Sequence, residues 1–513
     1  MRRFATLLAA TCAVVLLAGC STDTQGTSFT TATDPSAAPT TGASTPADGS
    51  ATTAPAVIGQ IRWTDFGNTG RVQTGNLLVP LDYHDPSKGT VDLYLTRHLA
   101  LPKQRIGSLL VNPGGPGFGG SYFALQAEDI YSKSLTDRFD IVGWDPRGTG
   151  LSTPTIDCIS DYDHFYAGTD ITPDTPQERQ QLVDLAKEFA DDCTAKSGSF
   201  MAYMGTNNSA RDMDSIRQAL GEAKVSYFGF SYGSELGATW VTLFPTTVRA
   251  AVLDGAVDPT ADATTSGVQQ SAGFEQALAS FLADCGKNTK CSFRNGGRAA
   301  TAFDALMAKI DDHPLPTEAG RPPLTRAMAL TAVAQALYSP AIWPELQTGL
   351  NDAQHGDGTA LLHLYDDYYQ RRADGTYDNS LEAFQVITCD DHPERPTVAE
   401  DDAAAPRYQR AAPRFSPNTT GSYTCTFFPK TIDPMIAPTG KGAGPILVMG
   451  TTGDPATPLA STRVMASTLE DGRLVIVKAE GHTGYGANTC SSRVVDNYLI
   501  DPVKNAPKNG TTC

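Results

Sequence analysis

The stretch Val225-Ser226-Tyr227-Phe228-Gly229-Phe230-Ser231-Tyr232-Gly233 decides how the rest of the chain is read. Val225 to Phe228 form a short, mostly apolar run of the kind that a strand buried on both faces requires. Ser234 to Phe244 then reads as a helix. Between them stands G-x-S-x-G, in which a serine on a tight strand-to-helix turn is flanked by glycines because larger side chains would collide there. A chain with 47 glycines can contain this pentapeptide by chance, so its weight comes from the strand before it and the helix after it. On that context Ser231 is the candidate nucleophile.

Comparable runs recur on both sides. Leu77 to Tyr83 and Val91 to Leu95 read as two strands joined by a Pro/Gly turn. Ser108 to Val111, Phe139 to Trp144, Ala251 to Leu253, Pro445 to Met449 and Leu474 to Val477 are short apolar strands ending in glycine-rich or acidic turns. Helical stretches intervene, as between Pro176 and Cys193, where Leu182, Leu185 and Phe189 share a face. The pattern implies an α/β protein, a mostly parallel sheet with helices on both faces. After Pro259 the texture changes: Phe274, Leu278, Phe281 and Leu282 share one helical face, and Phe303, Leu306, Met307 and Ile310 another. Residues 58–259 and 436–513 are therefore expected to form the core, and residues 260–435 an inserted, mainly helical cap.

A nucleophilic serine needs a base, and the base an orienting acid. On a strand-turn-helix serine the partners follow in the order Ser, Asp or Glu, His. Of eight histidines, only His482 lies after the returning strands, in Glu480-Gly481-His482-Thr483-Gly484. The candidate acid is Asp454, in Gly450-Thr451-Thr452-Gly453-Asp454-Pro455 after the Pro445 strand. Backbone donors must also meet the charge that develops on a tetrahedral intermediate. Tyr232, next after the serine, supplies one candidate N–H, and Gly115 in Asn112-Pro113-Gly114-Gly115-Pro116-Gly117 the second, with Gly117 as the alternative. Arg147, in Asp145-Pro146-Arg147-Gly148, reads as a structural tie between loops.

Composition sets the compartment and excludes some partners. The 40% hydrophobic and 8% aromatic content is that of a chain able to bury a core. A net charge of −17 repels polyanions, so nucleic acid is not expected as a partner. Arg2 and Arg3 precede an apolar run from Phe4 to Leu17 that ends in Leu17-Ala18-Gly19-Cys20. Residues 1–19 thus read as a bacterial lipoprotein signal peptide, with Cys20 receiving the lipid that anchors the exported protein to the outer face of the cell membrane. Residues 20–57, rich in Thr, Ala, Ser, Gly and Pro, read as a solvated tether. In that compartment Cys158, Cys193, Cys285, Cys291, Cys389, Cys425, Cys490 and Cys513 are expected to form disulfides, paired in sequence order. Metal binding is the competing use of cysteines, but there is no C-x-x-C pair and no histidine cluster beside them.

Gly-Gly-Pro-Gly at 114–117, Asp-Pro-Arg-Gly-Thr-Gly-Leu-Ser at 145–152, Gly-Phe-Ser-Tyr-Gly at 229–233, Gly-Asp-Pro-Ala-Thr-Pro at 453–458 and Gly-His-Thr at 481–483 occur in this order. With Val79-Pro80-Leu81-Asp82-Tyr83, Leu253-Asp254-Gly255 and Ile387-Thr388-Cys389-Asp390, they make the chain resemble the secreted tripeptidyl aminopeptidases of actinobacteria, relatives of the proline iminopeptidases, from about Ile61 to Cys513. The resemblance implies an α/β-hydrolase fold and release of short peptides, often tripeptides, from free N-termini through an acyl-enzyme. Carried over, Ser231 is the nucleophile, Asp454 the orienting acid and His482 the base, with Gly115 and Tyr232 as the oxyanion hole. No metal or organic cofactor is implied. The family pattern has a cysteine where Val72-Gln73-Thr74-Gly75 has none, which leaves one family disulfide without a counterpart.

An aminopeptidase must also hold a protonated amine, and Asp390, Asp391 and Glu235 are the candidate carboxylates for it. The expected substrates are the N-termini of peptides or proteins. Two other functions fit the same residues: a carboxylesterase or lipase of the cell envelope, and a peptide-binding lipoprotein without catalysis. Oligomeric state is not legible in the sequence.

Overall fold

The computed structural model describes residues 59–67, 70–167, 172–173, 175–417 and 422–513. The expected signal segment, Cys20 and the tether lie outside the described residues. The chain enters its sheet through β1 (Thr64–Asp65), β2 (Val72–Pro80) and β3 (Thr90–His98), which pair antiparallel in succession. β2 stops at Pro80 rather than running on to Tyr83, because the chain turns there: Leu81 N–H donates to Gly89 O at 2.9 Å. Then come β4 (Gly107–Asn112), β5 (Phe139–Trp144), β6 (Val225–Phe230), β7 (Val248–Asp254), β8 (Ile446–Gly453), β9 (Gly472–Glu480) and the short β10 (Thr511–Thr512).

The sheet order is β1-β2-β3-β5-β4-β6-β7-β8-β9-β10. β3 meets β5 antiparallel, and every pairing from β5 through β4 to β10 is parallel. Every residue of β4, β5 and β6 is buried, which is why these strands read as continuous apolar runs.

Helices cover both faces. α1 (Ser121–Leu125), α2 (Ala127–Ile130) and α3 (Lys133–Thr136) lie between β4 and β5, and α4 (Pro176–Ser197) and α5 (Thr206–Ala219) between β5 and β6. α6 (Gly233–Leu243) follows β6. The insertion between β7 and β8 contains α7 (Ala263–Lys287), α8 (Ala299–Asp312), α9 (Arg326–Leu337), α10 (Trp343–Gln354), α11 (Thr359–Tyr368), α12 (Ser380–Asp391) and α13 (Val398–Ala411). α14 (Leu459–Thr468) joins β8 to β9, and α15 (Thr489–Ile500) and α16 (Pro502–Asn505) precede β10. This is the α/β-hydrolase fold.

The insertion is built in two parts. Phe274, Leu278, Phe281, Phe303, Leu306 and Ile310 pack into a core of their own. Ala383, Val386, Ile387 and Cys389 of α12 instead join the core that β6, α5 and α6 share. One end of the insertion is therefore fused to the sheet.

Four disulfides, Cys158–Cys193, Cys285–Cys291, Cys389–Cys425 and Cys490–Cys513, each join consecutive cysteines of this set. Arg147 is fully buried: its guanidinium donates to Asp212 Oδ2 at 2.8 Å and Oδ1 at 2.6 Å, and to the carbonyls of Pro80, Leu81 and Tyr203. Such a fork satisfies a cation that burial would otherwise penalise. No helix among the described residues is long and apolar enough to cross a membrane.

Candidate active site

β6 ends at Phe230 and α6 begins at Gly233, leaving Ser231 on the turn between them with φ at 55°. A non-glycine residue there costs of order 1–3 kcal/mol and persists only where its surroundings impose it. Here the Ser231 N–H donates to Asp254 O at 2.8 Å, while Ser231 O accepts from Ser234 N–H at 2.7 Å as α6 starts.

The loop after β4 packs directly on this turn. A Cβ on Gly114 would lie 2.5 Å from Phe230 O and 2.9 Å from Ser231 Cβ, and Gly114 has φ at 103°, so only glycine fits. Gly115 follows, and neither its N–H nor that of Tyr232 has a backbone acceptor among the described residues. Gly117 faces elsewhere, where its Cβ would meet Ser380 O and Phe384 N of α12.

Asp454 and His482 stand at the ends of β8 and β9 and meet, with His482 Nδ1 2.8 Å from Asp454 Oδ1. The same carboxylate accepts from the N–H groups of Ala456 at 3.0 Å, Thr457 at 2.8 Å and Thr483 at 3.2 Å. These bonds point the acid at the ring. His482 Nε2 is buried without a partner, and no hydrogen bond joins it to Ser231 among the described residues. Catalytic hydrogen bonds of this kind commonly tighten only once substrate is bound. Burial pushes the imidazole toward its neutral form, but the Asp454 carboxylate, aided by Asp254, outweighs it and raises the His482 pKa.

The insertion reaches this histidine. Tyr338, just after α9, accepts the His482 N–H on its carbonyl at 2.9 Å and sets its ring edge-on to the imidazole, with centroids 5.4 Å apart.

The three remaining predicted acids lie near one another, with Asp391 acting on both Glu235 and Asp390. Asp391 Oδ1 accepts Thr206 N–H at 2.6 Å, and its Oδ2 accepts the Thr206 hydroxyl at 2.6 Å. That hydroxyl also bonds the Tyr232 hydroxyl. Burial and Asp391 push the Glu235 pKa up to about 8, burial pushes Asp391 up to about 7, and burial with Asp391 drives Asp390 well up. Asp390 Oδ2 is buried without a partner.

Thr206 and Tyr338 were not singled out from sequence, and Asp254 stood only within the Leu253-Asp254-Gly255 motif, with no role attached. A signal existed only for Asp254, a carboxylate at the end of an apolar strand. Among the described residues no group of three or more His, Cys, Asp or Glu side chains is arranged to hold a metal ion.

A family model described as alpha/beta hydrolase fold matches residues 107–316, and one described as TAP-like protein matches residues 412–513. Serine protease Hip1 of Mycobacterium tuberculosis is 35% identical over 465 residues, 86% of this chain and 88% of the relative. Carboxylesterase B of the same species is 36% identical over 487 residues, 91% of this chain and 93% of the relative. Tripeptidyl aminopeptidase of Streptomyces lividans is 29% identical over 444 residues, 84% of this chain and 81% of the relative.

Proposed function

Because this chain belongs to the α/β hydrolases with a TAP-like C-terminal segment and is a serine hydrolase, we propose that it is an exported, lipid-anchored serine peptidase. It removes short peptides, tripeptides among them, from free N-termini. Ser231 attacks the carbonyl of the scissile bond as His482 takes its proton, and Asp454 holds the ring and stabilises the imidazolium. The N–H groups of Gly115 and Tyr232 receive the oxyanion. The imidazolium then protonates the departing amine, and water enters by the same route to release the acyl group.

The observation that carries the aminopeptidase reading is the convergence of Glu235, Asp390 and Asp391 beside Tyr232, the residue next to the nucleophile. Acids that are buried or half-buried and repel one another favour a cation between them, and a substrate α-ammonium supplies three donors. Relatives named serine protease and tripeptidyl aminopeptidase support the same substrate class. Leu17-Ala18-Gly19-Cys20 supports the lipid anchor.

Tripeptidyl anilides with free and with acetylated N-termini test this reading. Acetylation is expected to abolish hydrolysis, and Ser231→Ala to abolish it on the free substrate. Equal rates on blocked and free substrates reject the amine site, whereas full activity in Ser231→Ala rejects the nucleophile. A second reading, a carboxylesterase, is favoured by the 36% identical Carboxylesterase B. It requires rapid hydrolysis of simple esters with no dependence on a free amine.

A further inference from the structure

Asp254 belongs to neither the proposed triad nor the acid cluster, yet it lies between Ser231 and His482. It ends β7 and is fully buried. Its carbonyl accepts the Ser231 N–H at 2.8 Å. Its carboxylate accepts two further N–H groups, from Gly484 on Oδ1 and Tyr485 on Oδ2, both at 2.7 Å. Both donors belong to the loop that carries His482. The next residue, Gly255, lies against the imidazole, since a Cβ there would be 3.1 Å from His482 Cε1.

No lysine or arginine pairs with Asp254 among the described residues. A buried carboxylate without a countercharge is costly, and a strand needs no acid at its end. Two backbone donors and the adjacent imidazole are what this position offers in return.

We propose that Asp254 is a positioning residue for hydrolysis: it holds the serine turn and the histidine loop in one frame, and its charge stabilises the imidazolium formed when His482 takes the serine proton. This rests on the reading of His482 as the base. The ionisable groups facing His482 are Asp454, from the loop after β8, and Asp254, from β7. The insertion contributes the Tyr338 ring, and the Asp454 loop the Thr457 hydroxyl at 3.3 Å from Nδ1. Asp254 acts in the same direction as Asp454, favouring the charged ring. Burial holds its own pKa at about 7, against the pull of the two N–H donors and His482.

The test is hydrolysis of p-nitrophenyl acetate across pH by full-length protein, since any working serine–histidine pair performs it. A displacement of about 1 Å at a catalytic group can cost about 100-fold, so Asp254→Asn is expected to lower kcat by up to about that factor. Its acid limb should move to lower pH, because the imidazolium has lost a stabilising charge. A purely structural residue would lower activity without moving the limb. Unchanged kcat, or a lowered kcat with an unmoved limb, overturns the proposal. Asp254→Ser, a smaller neutral side chain, takes the place of the Asn variant if that does not fold: its limb should move to lower pH, and an unmoved limb overturns the proposal, as does a limb that moves equally far in Asp254→Glu, which keeps the charge. His482→Ala, run alongside, separates the two readings. Retained activity there removes the base and this proposal with it, while loss there beside an unaffected Asp254→Asn removes only the role of Asp254.

Discussion

His482 is under two opposing influences, burial against the imidazolium and the Asp454 and Asp254 carboxylates for it, and the carboxylates prevail. A general base works in its neutral form, so activity should rise with pH through a limb above the ordinary histidine value of about 6.5. Asp454→Asn removes the larger of the two charges and leaves the wrong tautomer facing the serine. We expect the limb to move down in pH and kcat to fall about 10,000-fold, read from a pH–rate profile. Asp454 and His482, which the structure brings together, stood out as candidates because strand-end acids and histidines in that chain order carry a chemical meaning. The role of Asp254 was not legible, because its partners Gly484 and Tyr485 lie 230 and 231 residues further along the chain. An acid whose donors are that remote looks like any residue closing a strand.

Among the elements, the strand-turn-helix unit around Ser231 is the one whose sequence and geometry agree most closely. Gly229 shows why: a Cβ there would sit 2.3 Å from Gly233 O and 2.4 Å from the Tyr227 hydroxyl. The first obstacle is backbone and cannot swing aside. Gly229→Ala should therefore destabilise the protein by about 1–3 kcal/mol, measured by urea unfolding, and lower kcat as the serine turn shifts. The central strands could be read because burial on both faces demands apolar side chains throughout. Their neighbours could not: β4 lies between β5 and β6, and which strands pair depends on crossovers that leave no local mark. β1 and β10, two residues each, are too short for any periodicity to register.

Across the whole molecule, α12 has the decisive placement, since it leaves the insertion's own core for that of the sheet and carries Asp390 and Asp391, the latter reaching the Tyr232 hydroxyl through Thr206. The Cys389–Cys425 disulfide, which closes a span of 36 residues, ends immediately before these acids. Replacing both cysteines with serine should cost about 2–4 kcal/mol of stability. Activity on free-amine peptides should fall further than activity on simple esters, a difference that parallel assays would read. By itself the sequence determined the class of fold, the strand-turn-helix unit around Ser231, the order of the candidate triad and the set of cysteines available to pair. Each of these is written in local composition or in spacing along the chain. Only the tertiary structure decided that Asp391 reaches Tyr232 through Thr206, that Tyr338 covers His482, and that Asp254 ties the serine turn to the histidine loop. Those contacts join residues far apart in sequence, and burial, which raises the pKa of Glu235, Asp254, Asp390 and Asp391, exists only once the distant segments have packed around Ser231.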